Sequence, residues 1–274
     1  MVNFLIAAAL AAASPQATPA ALATPPSDAQ PTDVRPALFA VGDADTTVYI
    51  FGTFHALDGQ TDWFEDNVRG AFESSNELVL ETLVPEGPDR RQLSTMPQYR
   101  GLMTPSASFL ATTRMAINAG RSQGMQVDNG ADMILRHVAE AEGKPVAGLE
   151  TLESQLAMFN KMPAATTREP RPGEPVEQTS PMDSLSKAMA EMQAAWKRGD
   201  QSVFVRMLGQ LKASSPDTYR MMFTERNARW ADWIRARLQT PGTVFVAVGA
   251  GHLAGRDSVE TMLAARGLKA VRVQ

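Results

Sequence analysis

Apolar residues follow two patterns along the chain, short continuous runs and a helical period, and segments of the two kinds alternate. Short runs rich in Val, Ile, Leu and Phe are typical of strands buried inside a sheet. They predict strands at residues 47–51, 77–83, 144–149, 243–248 and 269–273. The segments between them show the helical period, in which apolar residues return every three or four positions. The pattern therefore predicts strands connected by helices.

The helical period is clearest at residues 130–142, where Ile134, Val138 and Ala141 fall on one face. The other predicted helices cover residues 62–74, 106–123, 151–159, 184–198, 201–213, 217–238 and 257–266. Thr151 stands at the start of one of them, three residues before Ser154, and is predicted to be its N-cap.

This alternation predicts an α/β fold with a mostly parallel or mixed central sheet flanked by helices. The middle of the chain is rich in helices, which we expect to form an inserted bundle over one edge of the sheet. We expect a single α/β domain at residues 37–274, since no internal repeat is evident. Residues 162–181 contain five prolines and predict an exposed loop within it.

Composition excludes several functional classes. The 274 residues carry a net charge of −4, whereas nucleic-acid binding needs a concentrated basic surface, so we expect no nucleic-acid partner. The chain has no cysteine. Disulfides, zinc–thiolate sites, thiol nucleophiles and a lipidated cysteine anchor are therefore excluded.

The N-terminus indicates export. Its apolar run, residues 4–13, is too short to span a bilayer but has the length of a signal-peptide core. Small-residue cleavage patterns follow at residues 11–13 and 21–23, although no Lys or Arg precedes the run. We predict a signal peptide at 1–23, a disordered leader at 24–36, a periplasmic or secreted protein, and no transmembrane segment after signal removal. The alternative is a disordered Ala/Pro-rich tail.

Polar side chains stand near the carboxyl ends of four predicted strands. Two of these ends share one pattern, glycine–two residues–histidine, which places His55 after the first predicted strand and His252 after a late one. Glu81 and Glu150 come near the ends of two others. Ligands of open α/β sheets bind beyond the carboxyl ends of strands, so we expect these groups to converge. The glycines permit sharp turns and close ligand approach.

Two histidines and a carboxylate can hold a divalent metal ion and leave a position open for water. The same groups can act without metal as general acid and base, because imidazole titrates near neutral pH. Purely structural roles stay open: a strand-end histidine is often structural, Glu81 could lie at the surface, and Glu150 could begin the next helix. His137 lies in a helix without a motif and is expected to be structural or exposed.

A further candidate lies in the predicted helix 217–238. Arg226, Asn227 and Trp230 share one face there, and an inward Arg can bind a carboxylate or a developing oxyanion. The alternative is an amphipathic helix with solvated charges. Glycines near residue 250 do not have the spacing of a dinucleotide-binding loop. Neither a Gly-x-Ser-x-Gly elbow nor a His-Glu-x-x-His helix occurs.

Four segments together resemble the TraB/PrgY/GumN family: the paired Gly-x-x-His turns, GLETLESQLAMF at 148–159, ERNARWADWI at 225–234 and the ending FVAVGAGHLAGRDSV. The resemblance covers residues 40–274. That family is similar to the Tiki proteases, which inactivate Wnt ligands, and more distantly to the erythromycin esterases. Other members are described as pheromone-shutdown or polysaccharide-cluster proteins, so the shared fold does not fix the reaction.

The resemblance to Tiki-like members implies a metal-dependent peptidase. It implies that His55, His252 and Glu81 hold a divalent metal ion, with Arg226 and Asn227 as supporting residues. The long Pro-rich loop departs from the simplest family pattern and leaves substrate access open.

Together these observations predict an exported hydrolase, metal-dependent and acting on a peptide or small-molecule substrate. Glu81 or Glu150 is the expected base and Arg226 the oxyanion partner. The alternative is a non-catalytic protein that binds a peptide or small ligand at the same strand ends. In both cases we predict that His55 and His252 meet at adjacent strand ends, since neighbouring strands lie about 4.8 Å apart.

Overall fold

A six-stranded sheet forms the centre of the protein, as seen in a computed structural model that describes residues 34–83, 107–161 and 180–274. Along the sheet the strands follow the order β4-β3-β5-β2-β1-β6. Their bounds are β1 Leu38–Gly42, β2 Thr46–Thr53, β3 Glu77–Thr82, β4 Val146–Glu150, β5 Gly242–Gly249 and β6 Val271–Arg272.

The sheet is mixed. Strands β4, β3, β5 and β2 are mutually parallel, and β1 is antiparallel to both β2 and β6. The predicted α/β class, with a mixed central sheet flanked by helices, is therefore confirmed. The parallel register pairs Thr53 with Gly249 at the carboxyl ends of β2 and β5, which are neighbours in the sheet.

Strand β1 has no counterpart among the predicted strands. It forms a hairpin with β2, and the Asp43 carboxylate in the turn accepts a hydrogen bond from the backbone N–H of Thr46 at 3.0 Å. Its five residues, LFAVG, are too few to show a period of their own. Pairing with β2 and burial of Leu38 hold them in the sheet.

Helices connect the strands: α1 Asp66–Glu73, α2 Ala107–Ser122, α3 Ala131–Ala141, α4 Leu152–Asn160, α5 Pro181–Lys197, α6 Ser202–Ser214, α7 Pro216–Tyr219, α8 Glu225–Arg237 and α9 Val259–Ala264. The predicted N-cap is confirmed, because Thr151 Oγ1 accepts a hydrogen bond from the N–H of Ser154. The helix predicted at 217–238 is present, because the backbone stays helical from Pro216 to Arg237, but it contains a turn of another type. A π-helical segment, Arg220–Thr224, separates α7 from α8.

Apolar side chains on the two faces of the sheet form two cores. On one face, residues such as Phe51 and Phe245 pack with helices α1, α3, α5 and α6. On the other face, residues such as Ile50 and Val246 pack with α8 and α9. The middle helices α5 and α6 therefore cover a face of the sheet instead of the expected edge. Trp196 of α5 fixes this position by donating a hydrogen bond to the Gly52 carbonyl at 2.7 Å.

Some predictions fall outside the described residues. The signal peptide, nearly all of the leader and all but the end of the Pro-rich loop lie there. Within the described ranges, none of the helices combines the length and the apolar character needed to cross a bilayer.

Candidate functional site

The two Gly-x-x-His turns lie side by side at the carboxyl end of the sheet. One begins in β2 and the other in β5, and these strands are paired up to Thr53 and Gly249. His252 lies in a short 3₁₀ turn, Ala250–Leu253, directly after its strand. The parallel pairing of β2 and β5 therefore brings together two histidines that are almost 200 residues apart in sequence.

Both histidines and Glu81 converge on Gly249. A methyl group built on its Cα would lie 3.2 Å from Glu81 Oε1, 3.5 Å from His55 Nε2 and 3.7 Å from His252 Cδ2. A side chain at this position would therefore crowd Glu81 and touch both histidines. Glycine lets the three groups face a common space.

Glu81 is held by two charge-assisted hydrogen bonds. Its Oε1 accepts from the backbone N–H of Gly249 at 2.6 Å, and its Oε2 accepts from Nη2 of Arg226 at 2.7 Å. Oε1 also lies 3.7 Å from Nε2 of His252. Burial raises the pKa of Glu81, but the Arg226 guanidinium and the two histidines outweigh it and lower this pKa to about 2. Glu81 is therefore ionised at neutral pH.

Arg226 ties the carboxyl ends of β3 and β4 to helix α8. Its side chain is 3% exposed, and its Nε donates to both oxygens of Glu150 at 3.0 Å. Its Nη1 contacts the Met222 carbonyl at 3.4 Å and Nε2 of His252 at 3.2 Å. Burial lowers the pKa of Arg226, but the Glu81 and Glu150 carboxylates outweigh it and raise this pKa. The guanidinium is thus a fixed positive charge between two carboxylates and an imidazole.

The ring of His252 is fixed by Asn227. Nδ2 of Asn227 faces the carbonyls of His252 and Asp257 at 3.4 and 2.6 Å, so its Oδ1 faces the ring and accepts from Nδ1–H of His252 at 2.6 Å. The other ring nitrogen, Nε2, is then the acceptor toward Arg226. Burial, together with the Arg226 charge, lowers the pKa of His252 to about 3 despite the opposing influence of Glu81. This imidazole is neutral at pH 7.

His55, in contrast to His252, carries a positive charge at pH 7. Its Nδ1 lies 3.1 Å from Oδ1 of Asp132, in the first turn of α3. Burial lowers the pKa of His55, but the carboxylates of Asp132 and Glu81 outweigh it and raise this pKa to about 9. His55 is therefore protonated at pH 7. Sequence reasoning missed Asp132, whose only signal is an acidic residue at the start of a predicted helix.

A cavity of about 130 Å³ lies over these groups. His55, Glu81, Asp132, Arg226 and His252 line its polar end. The remaining wall is largely apolar and comes mainly from α3, α5, α6 and the π-helical segment. The site is thus a concave pocket with convergent charged groups, which is the usual form of a ligand-binding or active site.

Comparison with known proteins identifies the family of the chain. The sequence matches the TraB/PrgY/gumN family over residues 37–108 and 92–272, which together span most of the chain. The chain belongs to the TraB/PrgY/gumN family. Its similarity to uncharacterized protein YbaP of Escherichia coli K12 and of Shigella flexneri is 28% identity over 153 residues, 54% of either chain. The chain thus spans about half the length of the curated relatives it matches. No solved structure matches.

The structure divides the predicted site residues of this TraB/PrgY/gumN chain into two groups. His55, Glu81, Arg226 and His252 line the cavity. Glu150 and Asn227 lie behind them: Glu150 binds Arg226, and Asn227 binds the ring of His252. His137 is exposed on α3, which is one of the two outcomes expected for it.

The donor chemistry of the site suits a divalent metal ion. Both histidines have Nδ1 bound by an outer oxygen, of Asp132 or Asn227, which is how proteins orient metal-ligating imidazoles. Each Nε2 and the Glu81 carboxylate then face the cavity side. Within the described residues, however, no three His, Asp or Glu side chains are already arranged around one metal position, and Arg226 Nη1 contacts Nε2 of His252.

Proposed function

We propose that this TraB/PrgY/gumN protein is a hydrolase that cleaves peptide bonds at the carboxyl ends of β2, β3 and β5. The convergence of Glu81 and both histidines on Gly249, within a cavity, supports this proposal most directly. The site brings together a proton donor, His55, a carboxylate, Glu81, and a fixed cation, Arg226. Acyl transfer to water can use these three types of group.

The charge states suggest a role for each group. Water adds its oxygen to the peptide carbonyl carbon, and Glu81 accepts the proton that the water loses. The C–N bond then breaks, and Nε2–H of His55 gives its proton to the leaving nitrogen; the proton on Glu81 afterwards restores His55. Arg226 stabilises negative charge near Glu81, and Asp132 keeps His55 oriented and protonated.

As an alternative to these metal-free roles, we propose a divalent metal ion as cofactor, with His55, His252 and Glu81 as the residues that would hold it. As ligands, His55 and Glu81 would not transfer the protons assigned to them above. When bound, such an ion would polarise the substrate carbonyl and activate water. His55 must lose its proton to become a ligand, so metal affinity is expected to rise with pH toward 9. Elemental analysis of the purified protein, with a chelator-treated sample as reference, tests this cofactor.

A peptide-library cleavage assay, analysed by mass spectrometry with and without chelator, tests the hydrolase. We expect cleavage by the wild type, almost none by His55→Ala, and full cleavage by His137→Ala. His137 is the matched control because it is exposed on α3 and absent from the cavity wall. Equal products from wild type and His55→Ala would contradict the proposal. Cleavage that persists in the presence of chelator would contradict only the proposed metal cofactor.

One observation favours the second candidate, a non-catalytic protein that binds a peptide or small ligand. Glu81 and Glu150 are both paired with Arg226, and the pKa of Glu81 is about 2, which makes it a weak proton acceptor. A site built for binding alone would have such fully paired carboxylates. Peptide binding without cleavage under any metal condition would select this candidate.

We further propose export, on the strength of the N-terminal apolar run and the Ala-x-Ala pattern at 21–23. The mature protein would begin near Thr24. N-terminal sequencing of the protein isolated from its native host tests this directly, and an intact Met1 on cytoplasmic material would refute it.

A further inference from the structure

The cavity has a polar end and an apolar end, and the apolar end is rich in methionine. Four methionines line it: Met133, Met189, Met192 and Met222. Phenylalanines, among them Phe204 and Phe223, complete the wall. Methionine is unbranched and polarizable, so a wall of this kind adapts to apolar groups of different shape.

Gln155 is one of the polar residues in the wall outside the charged cluster, which also include Thr53, Thr82 and Arg136. It lies in α4, is 5% exposed and lines the cavity. Nothing in the described part of the chain accepts a hydrogen bond from its side-chain amide or donates one to it. Buried side-chain amides in folded proteins almost always have a partner. The Gln155 side chain is largely buried, yet its amide atoms are not among the fully buried unpaired ones, so they open on the cavity, where a ligand can pair with them.

We infer that the apolar end of the cavity binds one apolar side chain of a peptide, of the size of Leu, Met or Phe, and that Gln155 binds a main-chain amide beside it. A carboxamide both donates and accepts, so it can pair with the N–H and C=O of a peptide group. The inference rests on the proposed function for its choice of a peptide, and it names the side chain that this site selects.

The size of the cavity agrees with one such side chain. An apolar cavity of about 150 Å³ holds a benzene molecule, and this whole cavity, with its polar end, measures about 130 Å³, so its apolar end has room for no more than one side chain. A charged side chain among the methionines and phenylalanines would leave water without gaining a partner there, although an acidic one could reach Arg136, which also lines the cavity. We therefore expect strong selection for apolar side chains and weak selection among them.

Binding can be measured without relying on catalysis. The probes are blocked tripeptides, acetyl-Ala-X-Ala-amide, with Leu, Phe, Asp or Lys at X, added to protein labelled with ¹³C at the methionine methyls. Signals are assigned by single Met→Leu substitutions. We expect the Leu and Phe probes to shift the methyl signals of Met189 and Met222, with dissociation constants at least tenfold below those of the Asp and Lys probes. Met115, which is exposed and outside the cavity wall, is the internal reference.

The same samples are followed for cleavage by mass spectrometry, which separates this inference from the proposed function. Selective binding without cleavage supports the inference and counts against the hydrolase. Cleavage with equal preference for Leu and Asp at X overturns the inference and leaves the hydrolase in place. Cavity methyls that respond to none of the probes also overturn it.

A pair of matched variants tests the role of Gln155. Gln155→Leu should weaken binding of the Leu probe about tenfold, while toluene, which has no amide, binds as in the wild type. Gln193→Leu is the control, because Gln193 is also buried, with no partner for Nε2 in the described chain, but is not part of the cavity wall. The methyl spectra show whether each variant is folded. Unchanged affinity for the Leu probe in folded Gln155→Leu refutes the assignment.

Discussion

Asp132 Oδ1 lies 3.1 Å from Nδ1 of His55, and this contact joins the first turn of α3 to the turn that follows β2. The two side chains are only partly exposed, so the carboxylate acts on the ring with little screening by water. This pair sets the charge of one imidazole at the site, whereas the neutral amide of Asn227 contacts the other. The two histidines therefore share one sequence pattern, but at pH 7 His55 is protonated and His252 is neutral.

The first prediction concerns pH and stability. His55 has a folded pKa of about 9 against an ordinary value of 6.5. The contribution of His55 to the free energy of unfolding is therefore fully present below pH 6.5 and is lost as the pH rises through 9. The loss should be on the order of 3 kcal/mol in the free energy of unfolding. Asp132→Asn should make this decline shallower, because it removes the main partner of the imidazolium.

Urea unfolding of both proteins at several pH values between 6 and 10, in the presence of a chelator, measures this difference. A wild type and an Asp132→Asn variant that lose equal stability over that range would show that Asp132 does not hold the proton on His55.

The second prediction concerns the buried guanidinium. Arg226→Lys should lower the free energy of unfolding by about 3–5 kcal/mol, because a point charge cannot bind Glu81 and Glu150 together in the geometry of a planar fork. Arg229→Lys is the matched control, since Arg229 contacts the same Glu150 but is 60% exposed. Its effect should stay below about 1 kcal/mol. Equal urea midpoints for the two variants would mean that the buried contacts contribute no more than the exposed one.

The third prediction concerns Gly249. Gly249→Ala should lower the free energy of unfolding by about 1–3 kcal/mol, because the added methyl group crowds Glu81 Oε1 and comes into contact with His55 Nε2. It should also move the imidazole NMR signals of both His55 and His252. Gly70→Ala in α1 meets open space and should leave stability unchanged or raise it by up to about 1 kcal/mol. Unmoved imidazole signals in Gly249→Ala would place the histidines farther from this glycine.

The fourth prediction is a double-mutant cycle. If His55 and His252 act in one site, each single substitution to Ala should remove most peptide cleavage, and the double variant should be little worse than either. Rates measured on a cleaved library peptide give the cycle, and urea unfolding shows that each variant folds. Effects that multiply would indicate that the two histidines act independently.

Much of the site follows from where the predicted strands end. Parallel strands present their carboxyl ends at one edge, so positions that are far apart in sequence, such as Glu81 and His252, could be expected to meet there. What could not be predicted is which carboxylate lines the cavity. Glu81 and Glu150 stand at similar places in the sequence pattern. The position of α8 places Arg226 between the two carboxylates, so Glu150 lies on the side of Arg226 away from the cavity.

Other features have no local signal. Asp132 contacts a residue 77 positions away, and its sequence context differs in no way from an ordinary acidic residue in a first helical turn. The π-helical segment Arg220–Thr224 is composed of residues that an α-helix also accepts. Two of its residues, Met222 and Phe223, line the cavity. Such insertions are frequent at functional sites.

The environment of His252 leaves its ring little freedom. Phe223 and Trp230 pack against it with ring centroids 4.8 and 4.5 Å away, and Asn227 binds both its Nδ1 and its backbone carbonyl. Rotation about its side-chain bonds is therefore already restricted when the chain folds. A ligand that binds Nε2 meets a ring that is already held, so association loses little conformational entropy at this residue and retains more of its contact energy as affinity.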